Sequence, residues 1–394
     1  MKDIKTFIIP ILMIFILTSC DSEFDHEVTQ EGSGNGTQSK SNIQSKAGVP
    51  FIRLNNGVNM PQFGFGTQIL SMEDDPNRQA LNAKVDETTT AALTSDYIHL
   101  DTAHAYFNEK GVGYGILRSK VDRNSIWITS KLDPNEFDDA SNGIDGILER
   151  LQTDYLDLLF LHHPVGNITT IVSAYRAMVE AYKAGKVRAI GISNFDNRME
   201  AYNAIMEEDF KPQVMQIECH PYAQRNETRE LAKTYDIQVE CWFPLKHNLD
   251  GILSDETLTS IANAHNKSVA QVILRWHIQE GLIPIPGSTN ATHIKENIDI
   301  FDFELTDSEM NTIRGLDQGE EGRAYNIQYG NDWFTNLVDY TYIPEGFDSS
   351  SKSSSESSSD SSSDSSTESS DSFSKGINFT LGKLFIMLLF VFFA

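Results

Sequence analysis

Short apolar runs recur along the middle of the chain and alternate with stretches whose apolar residues repeat every three or four positions. The runs lie at 62–67, 97–101, 126–130, 156–161, 188–192, 214–218, 238–243 and 282–285. Uninterrupted runs of this length are typical of strands buried on both faces, as in parallel sheets. Between two of them, residues 171–179 place their apolar side chains on one face of a helix.

Residues that favour turns and helix ends support this division. Gly185 follows Ala184 and predicts the end of the helix that contains 171–179. Ser268 predicts the start of another helix at 269. Asn56 and Gly57 predict a tight hairpin turn ahead of the first run.

Eight strands alternating with helices predict an α/β fold over residues 48–346, a closed (β/α)8 TIM barrel with a short N-terminal hairpin. A closed barrel leaves no sheet edge open. The alternative is an open doubly wound sheet, which needs a glycine-rich phosphate-binding turn after its first strand. Gly64-Phe65-Gly66 lacks the third glycine of that pattern, so the barrel is favoured.

The N-terminal segment has the pattern of a secretory signal. Lys2 and Lys5 precede an apolar run at 7–17 that is too short to span a bilayer, which predicts a signal peptide over 1–20. Residues 17–20 also resemble a bacterial lipobox, in which Cys20 would carry lipid; a plain signal peptide cut near Cys20 is the alternative. Polar residues 21–47 predict a flexible linker.

The C-terminal segment is serine-rich and acidic over 347–375, which predicts a disordered stalk. The last segment, 376–394, resembles a hydrophobic GPI-attachment signal, with Ser372 or Ser374 as the attachment site. An uncleaved tail anchor is disfavoured, because the final apolar run is shorter than the roughly 20 residues that a spanning helix needs. We expect a disordered tether at each end of the barrel. The two ends together predict that the protein enters the secretory route and is anchored to a membrane, at the cell surface or at the periplasmic face.

Composition excludes several classes of function. The chain carries 31 basic and 56 acidic residues, a net charge of −25, which disfavours binding to nucleic acid. Three cysteines do not make a disulfide framework in a chain of this length. The histidines show no metal-ligand spacing, so no metal site is predicted, and we expect a monomer.

Polar residues end several of the predicted strands. Asp101, Lys131 and His162 lie at intervals of 30 and 31 residues, about one β/α unit each, so they should surround one mouth of the barrel. Tyr106 lies in the loop after Asp101. A tyrosine is a poor acid at neutral pH, but an adjacent ammonium lowers the pKa of its phenol. We expect Lys131 to do this while Asp101 holds the lysine, and His162 to hydrogen-bond a substrate carbonyl oxygen.

Several segments resemble signatures of the aldo-keto reductase family, in the family's order. They cover 51–345 and comprise 101–109, 129–132, 157–164, 191–195 and 216–222. The resemblance implies a catalytic tetrad of Tyr106, Asp101, Lys131 and His162, in which Tyr106 is the general acid and base. It also implies an NAD(P)H-dependent reduction of small aldehydes and ketones to alcohols by hydride transfer.

The resemblance further implies a set of cofactor-binding residues. Ser193, Asn194 and Gln216 would hold the nicotinamide carboxamide, and Trp242 would stack on the nicotinamide ring. The remaining members are Leu245, Ser288, His293 and Asn297, the last three at the adenosine end.

The chain departs from the family pattern at two places. Many members have a lysine where Gly287 stands and an arginine where His293 stands. The loss of both cations should weaken selectivity for the 2′-phosphate. NADPH is still favoured, with NADH as the alternative. Gln68 and His163 replace frequent aromatic residues and indicate a more polar substrate pocket. A catalytically weak, surface-tethered protein that binds cofactor or ligand on the same barrel is the alternative function.

Overall fold

The computed structural model describes residues 43–44, 46–68, 78–325, 340, 342–344 and 347. The predicted signal peptide, the linker up to 42, the serine-rich stalk beyond 347 and the hydrophobic C-terminal segment lie outside the described residues. Within the described part of the chain, no helix is both long enough and apolar enough to cross a bilayer.

The core of the fold is a sheet of eight parallel strands in sequential order, preceded by a two-stranded antiparallel hairpin. The hairpin strands are β1 (Phe51–Arg53) and β2 (Asn59–Pro61). The parallel strands are β3 (Phe65–Gly66), β4 (His99–Asp101), β5 (Trp127–Leu132), β6 (Leu158–Leu161), β7 (Ile190–Ser193), β8 (Val214–Glu218), β9 (Gln238–Trp242) and β10 (Ile283–Pro284). All eight lie within or beside the predicted runs.

Helices follow the strands and surround the sheet. They are α1 (Gln79–Thr94), α2 (Glu109–Ser119), α3 (Ala140–Leu151), α4 (Ile168–Lys183), α5 (Met199–Glu207), α6 (Asn226–Lys233), α7 (Glu256–His265), α8 (Val269–Gln279), α9 (Ala291–Ile298) and α10 (Asp307–Arg314). Helix α4 ends before Ala184, with Gly185 at a φ of +78°, and Ser268 caps α8 with Gln271 in a capping box. Both predicted helix ends are therefore confirmed.

Backbone hydrogen bonds join the first and last parallel strands. The Gly64 and Gly66 amides donate to the carbonyl oxygens of Pro284 and Pro286, both at 3.1 Å. A Cβ on residue 66 would lie 2.8 Å from the carbonyl oxygen of Ile285, so this close approach requires glycine. The seam closes the sheet into the predicted (β/α)8 barrel and excludes the open doubly wound alternative.

The hairpin covers the end of the barrel at which the strands begin. Leu54 and Met60 pack in one buried cluster with Trp127 and Leu158, the first residues of β5 and β6. The Asn56 side chain donates to the carbonyl oxygen of Arg188, ahead of β7, at 3.1 Å. The opposite, carboxyl end of the strands is therefore the end left for a functional site.

Candidate active site

Four side chains of the predicted tetrad meet at the carboxyl ends of three adjacent strands. Asp101 ends β4, Lys131 lies one residue before the end of β5, and His162 directly follows β6. Tyr106 ends a short 3-10 helix, His104–Tyr106, in the loop after β4. The register of the parallel strands thus brings together residues that are about 30 positions apart in sequence.

The Lys131 ammonium is fully buried and has three oxygen partners. Nζ donates to Asp101 Oδ1 at 2.6 Å, to the carbonyl oxygen of Thr102 at 2.9 Å and to the Tyr106 hydroxyl at 3.1 Å. These acceptors match the three hydrogens of an ammonium group. Burial lowers the pKa of Lys131, but Asp101 and Tyr106 together raise it by more, so the side chain is held as a cation.

Burial and charge act in opposite directions on the Tyr106 phenol. Burial raises its pKa most, the Lys131 ammonium lowers it and Asp101 raises it, and the net shift is upward. The effect of Lys131 has the sign expected from the sequence, but the loss of water around the phenol outweighs it. Tyr106 is therefore a protonated phenol beside an ammonium that stabilises any negative charge developing on its oxygen.

His162 is buried beside Tyr106 as a neutral imidazole. The two rings meet edge to face with centroids 5.6 Å apart, and His163 stacks on His162 at 4.2 Å. Burial, and after it the nearby His163 and Lys131, lower the pKa of His162 well below its usual range. Its Nδ1 has no hydrogen-bond partner among the described residues. A neutral imidazole carries one N–H, so His162 can donate a hydrogen bond without carrying charge.

Ser193, Asn194 and Trp242 form a connected polar group next to His162. Asn194 Nδ2 donates to Ser193 Oγ at 3.0 Å and to the carbonyl oxygen of His162 at 3.2 Å. The Trp242 indole donates to Asn194 Oδ1 at 2.9 Å, and its ring is half-buried. The amide, hydroxyl and indole groups lie beside one another at the ends of β7 and β9, so this group adjoins the tetrad.

Gln216 connects the tetrad to a second buried carboxyl group, which sequence reasoning missed. Its Nε2 donates to Asp101 Oδ2 at 2.8 Å and also to Glu240 Oε1. Glu240 lies on β9 in register with Gln216 on β8, and its Oε2 is 3.7 Å from His99 Nε2. The signal in the sequence is a charged residue in the middle of the predicted strand 238–243.

Glu218 at the end of β8 attaches the segment after α10 to the barrel. It accepts hydrogen bonds from the backbone amides of Ala324 at 2.6 Å and Tyr325 at 3.2 Å. The Tyr325 ring then packs against Trp242 with centroids 5.5 Å apart. This contact joins residues about 80 positions apart, and no local pattern in the sequence predicts it.

The residues predicted for the adenosine end lie apart from the tetrad, after β10. Ser288 is half-buried in the loop before α9, and its hydroxyl oxygen accepts a hydrogen bond from the backbone amide of Asn290 at 3.1 Å. His293 and Asn297 lie four residues apart on α9 and so share one face; His293 is exposed and Asn297 is buried. Leu245, half-buried, precedes the irregular 3-10 segment Lys246–Ser254 after β9.

The two residues predicted to make the substrate pocket polar lie in different surroundings. His163 is half-buried and stacks on His162. The distance between its Nδ1 and Asn194 Nδ2 is 3.2 Å. Gln68 is exposed in the segment after β3. His163 therefore adjoins the tetrad directly, whereas Gln68 faces solvent.

One buried cluster has metal-ligand residue types. The ligand atoms of Cys219, Cys241 and His277 lie within 4.8 Å of one another. Both imidazole nitrogens of His277, however, lie at hydrogen-bond distance from backbone carbonyl oxygens, those of Ile273 at 2.8 Å and Cys219 at 3.0 Å. The imidazole is thus committed to the backbone, and the absence of a metal site stays a prediction.

Comparisons with known proteins agree with one another. Residues 62–318 match the model of the aldo/keto reductase family. The chain is 41% identical over 272 residues to a glyoxal reductase of Bacillus subtilis, covering 68% of this chain and 93% of the relative. It is 35% identical over 269 residues to a methylglyoxal reductase of Escherichia coli, covering 68% of this chain and 94% of the relative.

Solved structures give the same result. An aldo/keto reductase from Brucella melitensis superimposes with a TM-score of 0.63 and 39% identity, covering 68% of this chain and 100% of that one. An aldo-keto reductase from Bombyx mori, solved in complex with NADP, superimposes with a TM-score of 0.62 and 30% identity, covering 68% and 93%.

Proposed function

The chain belongs to the aldo/keto reductase family, and we propose that it reduces small polar aldehydes and ketones to alcohols with NADPH. The observation that carries this proposal is the Tyr106 hydroxyl, 3.1 Å from an ammonium that is itself 2.6 Å from Asp101. No binding role requires a half-buried phenol held against a fully buried lysine, so this arrangement favours an enzyme over the alternative of a weakly active binding protein.

Tyr106 is the proton donor in this proposal. When negative charge develops on the substrate oxygen, the phenol transfers its proton to that oxygen, and the phenolate left behind is stabilised by Lys131. Asp101 keeps Lys131 in place and balances its charge. His162, neutral because of its burial, donates a hydrogen bond that orients the carbonyl group towards Tyr106.

NADPH would supply the hydride that reduces the carbonyl carbon. The residues present fit this cofactor: Ser193, Asn194 and Gln216 offer hydroxyl and amide groups that suit a carboxamide, and Trp242 leaves part of its ring uncovered beside them. Structural neighbours solved with NADP or NADPH favour the phosphorylated cofactor. At the adenosine end Ser288, His293 and Asn297 offer polar groups but neither lysine nor arginine, so NADH remains the alternative cofactor.

Small and polar carbonyl compounds fit the site best. His163 places an imidazole beside the tetrad where an apolar ring would otherwise exclude water and polar groups. Relatives named as a glyoxal reductase and a methylglyoxal reductase support 2-oxoaldehydes as the substrate class.

The test follows NADPH oxidation by its absorbance with glyoxal, methylglyoxal and a bulky apolar aldehyde, for the wild type and Tyr106→Phe. We expect turnover with the two oxoaldehydes, a lower kcat/KM with the apolar aldehyde, and a loss of about 10²- to 10⁴-fold in kcat for the variant. The NADPH dissociation constant should stay nearly unchanged, because the hydroxyl acts in the transition state. A variant that keeps more than about a tenth of the wild-type kcat would show that Tyr106 is not the acid.

A further inference from the structure

Glu240 is a buried acid directly behind the tetrad. It lies in the middle of β9, fully buried, and is paired in register with Gln216 of β8 and Ile283 of β10. The groups that face it are the Gln216 amide, the Asp101 carboxylate beyond that amide, the His99 imidazole and, at a longer range, the Lys131 ammonium.

Glu240 and Asp101 together fix the orientation of one amide group. Gln216 Nε2 carries two hydrogens and has two acceptors, Asp101 Oδ2 at 2.8 Å and Glu240 Oε1. If the amide were rotated by half a turn, its carbonyl oxygen would face both carboxyl groups. The NH₂ group of Gln216 therefore stays towards the two acids, and its carbonyl oxygen is kept away from them.

The charges around Glu240 do not balance a second carboxylate. Lys131 pairs with Asp101 at 2.6 Å, and no lysine or arginine among the described residues lies within ion-pair distance of Glu240. His99 is the basic group nearest to Glu240, and burial lowers its pKa to about 3, so it is neutral. An uncompensated charge in the barrel interior is strongly unfavourable, and the free Oε2 is the atom that can carry the proton.

The pKa of Glu240 is shifted in the direction that this geometry requires. Burial raises its pKa to about 8, with Asp101 adding to the shift and Gln216 and Lys131 opposing it. Ionised Glu240 also raises the pKa of Tyr106. At neutral pH the acid is uncharged, and at alkaline pH it adds a negative charge that works against the phenolate of Tyr106.

We propose that Glu240 is a positioning residue for the carbonyl reduction proposed above: uncharged, it holds the Gln216 amide in its working orientation and keeps a second negative charge away from Asp101, Lys131 and Tyr106. The inference rests on the proposed function. It predicts that ionisation of Glu240 causes a decline of kcat at alkaline pH, and that loss of its hydrogen bond weakens cofactor binding through Gln216.

The experiment measures kcat with methylglyoxal between pH 6 and 10. It also measures the dissociation constant of NADPH without substrate, by quenching of protein fluorescence. Wild-type kcat should fall by about three- to tenfold between pH 7 and pH 9.5. Glu240→Gln keeps a hydrogen-bond acceptor but cannot ionise, so it should match the wild type within about twofold at pH 7 and lose the alkaline decline. Glu240→Met has neither acceptor nor charge, so it should also lose the decline and raise the dissociation constant of NADPH by about three- to tenfold.

Glu218→Gln is the matched control, since it makes the same change at another fully buried carboxyl group on the neighbouring strand. It should keep the alkaline decline whatever its effect on the rate. Thermal unfolding followed by circular dichroism establishes that each variant is folded, and either Glu240 variant alone suffices for the pH profile.

An alkaline decline that persists in Glu240→Gln or Glu240→Met, or that is missing from the wild type, overturns the inference. So does an unchanged dissociation constant of NADPH in Glu240→Met. A wild type that oxidises no NADPH with any carbonyl compound contradicts the proposed function instead, so the two failures are distinguishable.

Discussion

Replacement of Lys131 by methionine tests the arrangement of the tetrad most directly. An ammonium and a phenolate 3.1 Å apart attract by about 5 kcal/mol at an effective dielectric constant of about 20. If about half of the phenolate charge has developed in the transition state, the loss is about 2.5 kcal/mol, and full development gives the whole value. We therefore expect kcat to fall by about 10²- to 10⁴-fold in Lys131→Met.

The same change should destabilise the fold, because Asp101 would be left as a buried charge without its partner. Removal of one member of a buried ion pair costs about 3–5 kcal/mol of unfolding free energy. The entropy of unfolding of a barrel of about 300 residues is about 0.6 kcal/mol/K, so the expected fall in Tm is about 5–8 °C. Differential scanning calorimetry measures this shift.

A second variant separates the two effects. Lys131→Met combined with Asp101→Asn removes both charges, so Tm should recover most of its loss while kcat stays low. Recovery of kcat in the double variant would refute the role of Lys131 towards Tyr106. A Tm within about 1 °C of the wild type in Lys131→Met alone would refute the buried ion pair.

Two further predictions concern other parts of the barrel. His293→Arg should tighten NADPH binding by about 1–3 kcal/mol and leave NADH nearly unchanged, measured by quenching of protein fluorescence; equal tightening of both would place residue 293 away from the 2′-phosphate. His99 has a pKa of 6.5 when unfolded and about 3 in the fold, so the stability that its neutral form contributes is complete above pH 6.5 and is lost as the pH falls towards 3. Between pH 6.5 and 5 the unfolding free energy should drop by about 1.6 kcal/mol more in the wild type than in His99→Gln, measured by urea denaturation at each pH. Equal drops would contradict the lowered pKa.

The apolar runs predict the barrel well because each parallel strand is buried on both faces. The bounds differ most at the seam: the run 62–67 becomes the two-residue β3, and 282–285 becomes the two-residue β10. There the first and last strands are joined by hydrogen bonds from the Gly64 and Gly66 backbone amides rather than by a regular series of strand-to-strand hydrogen bonds. Local hydrophobicity does not encode that geometry, because it depends on a partner strand more than 200 residues away.

The placement of Asp101, Lys131 and His162 beside one another could be predicted because their spacing follows the β/α repeat. The net pKa of Tyr106 could not, because burial outweighs the neighbouring ammonium and the extent of burial is a property of the folded barrel. Glu240 and Tyr325 were missed for the same reason, since their partners Gln216 and Trp242 lie on other strands. The predictions for the chain ends stay predictions, because those segments lie outside the described residues.

The seam between Gly64–Gly66 and 284–286 has a consequence for the way in which the enzyme is assembled. The residues predicted for the adenosine end, Ser288, His293 and Asn297, all follow β10 directly. Closure of the seam, which joins parts of the chain distant in sequence, therefore also brings the predicted adenosine end into the closed barrel. A ligand that binds at these residues should stabilise the closed seam, because binding to the closed form alone shifts the equilibrium towards it by mass action. Slower hydrogen exchange at the Gly64 and Gly66 backbone amides in the presence of the ligand would demonstrate this stabilisation.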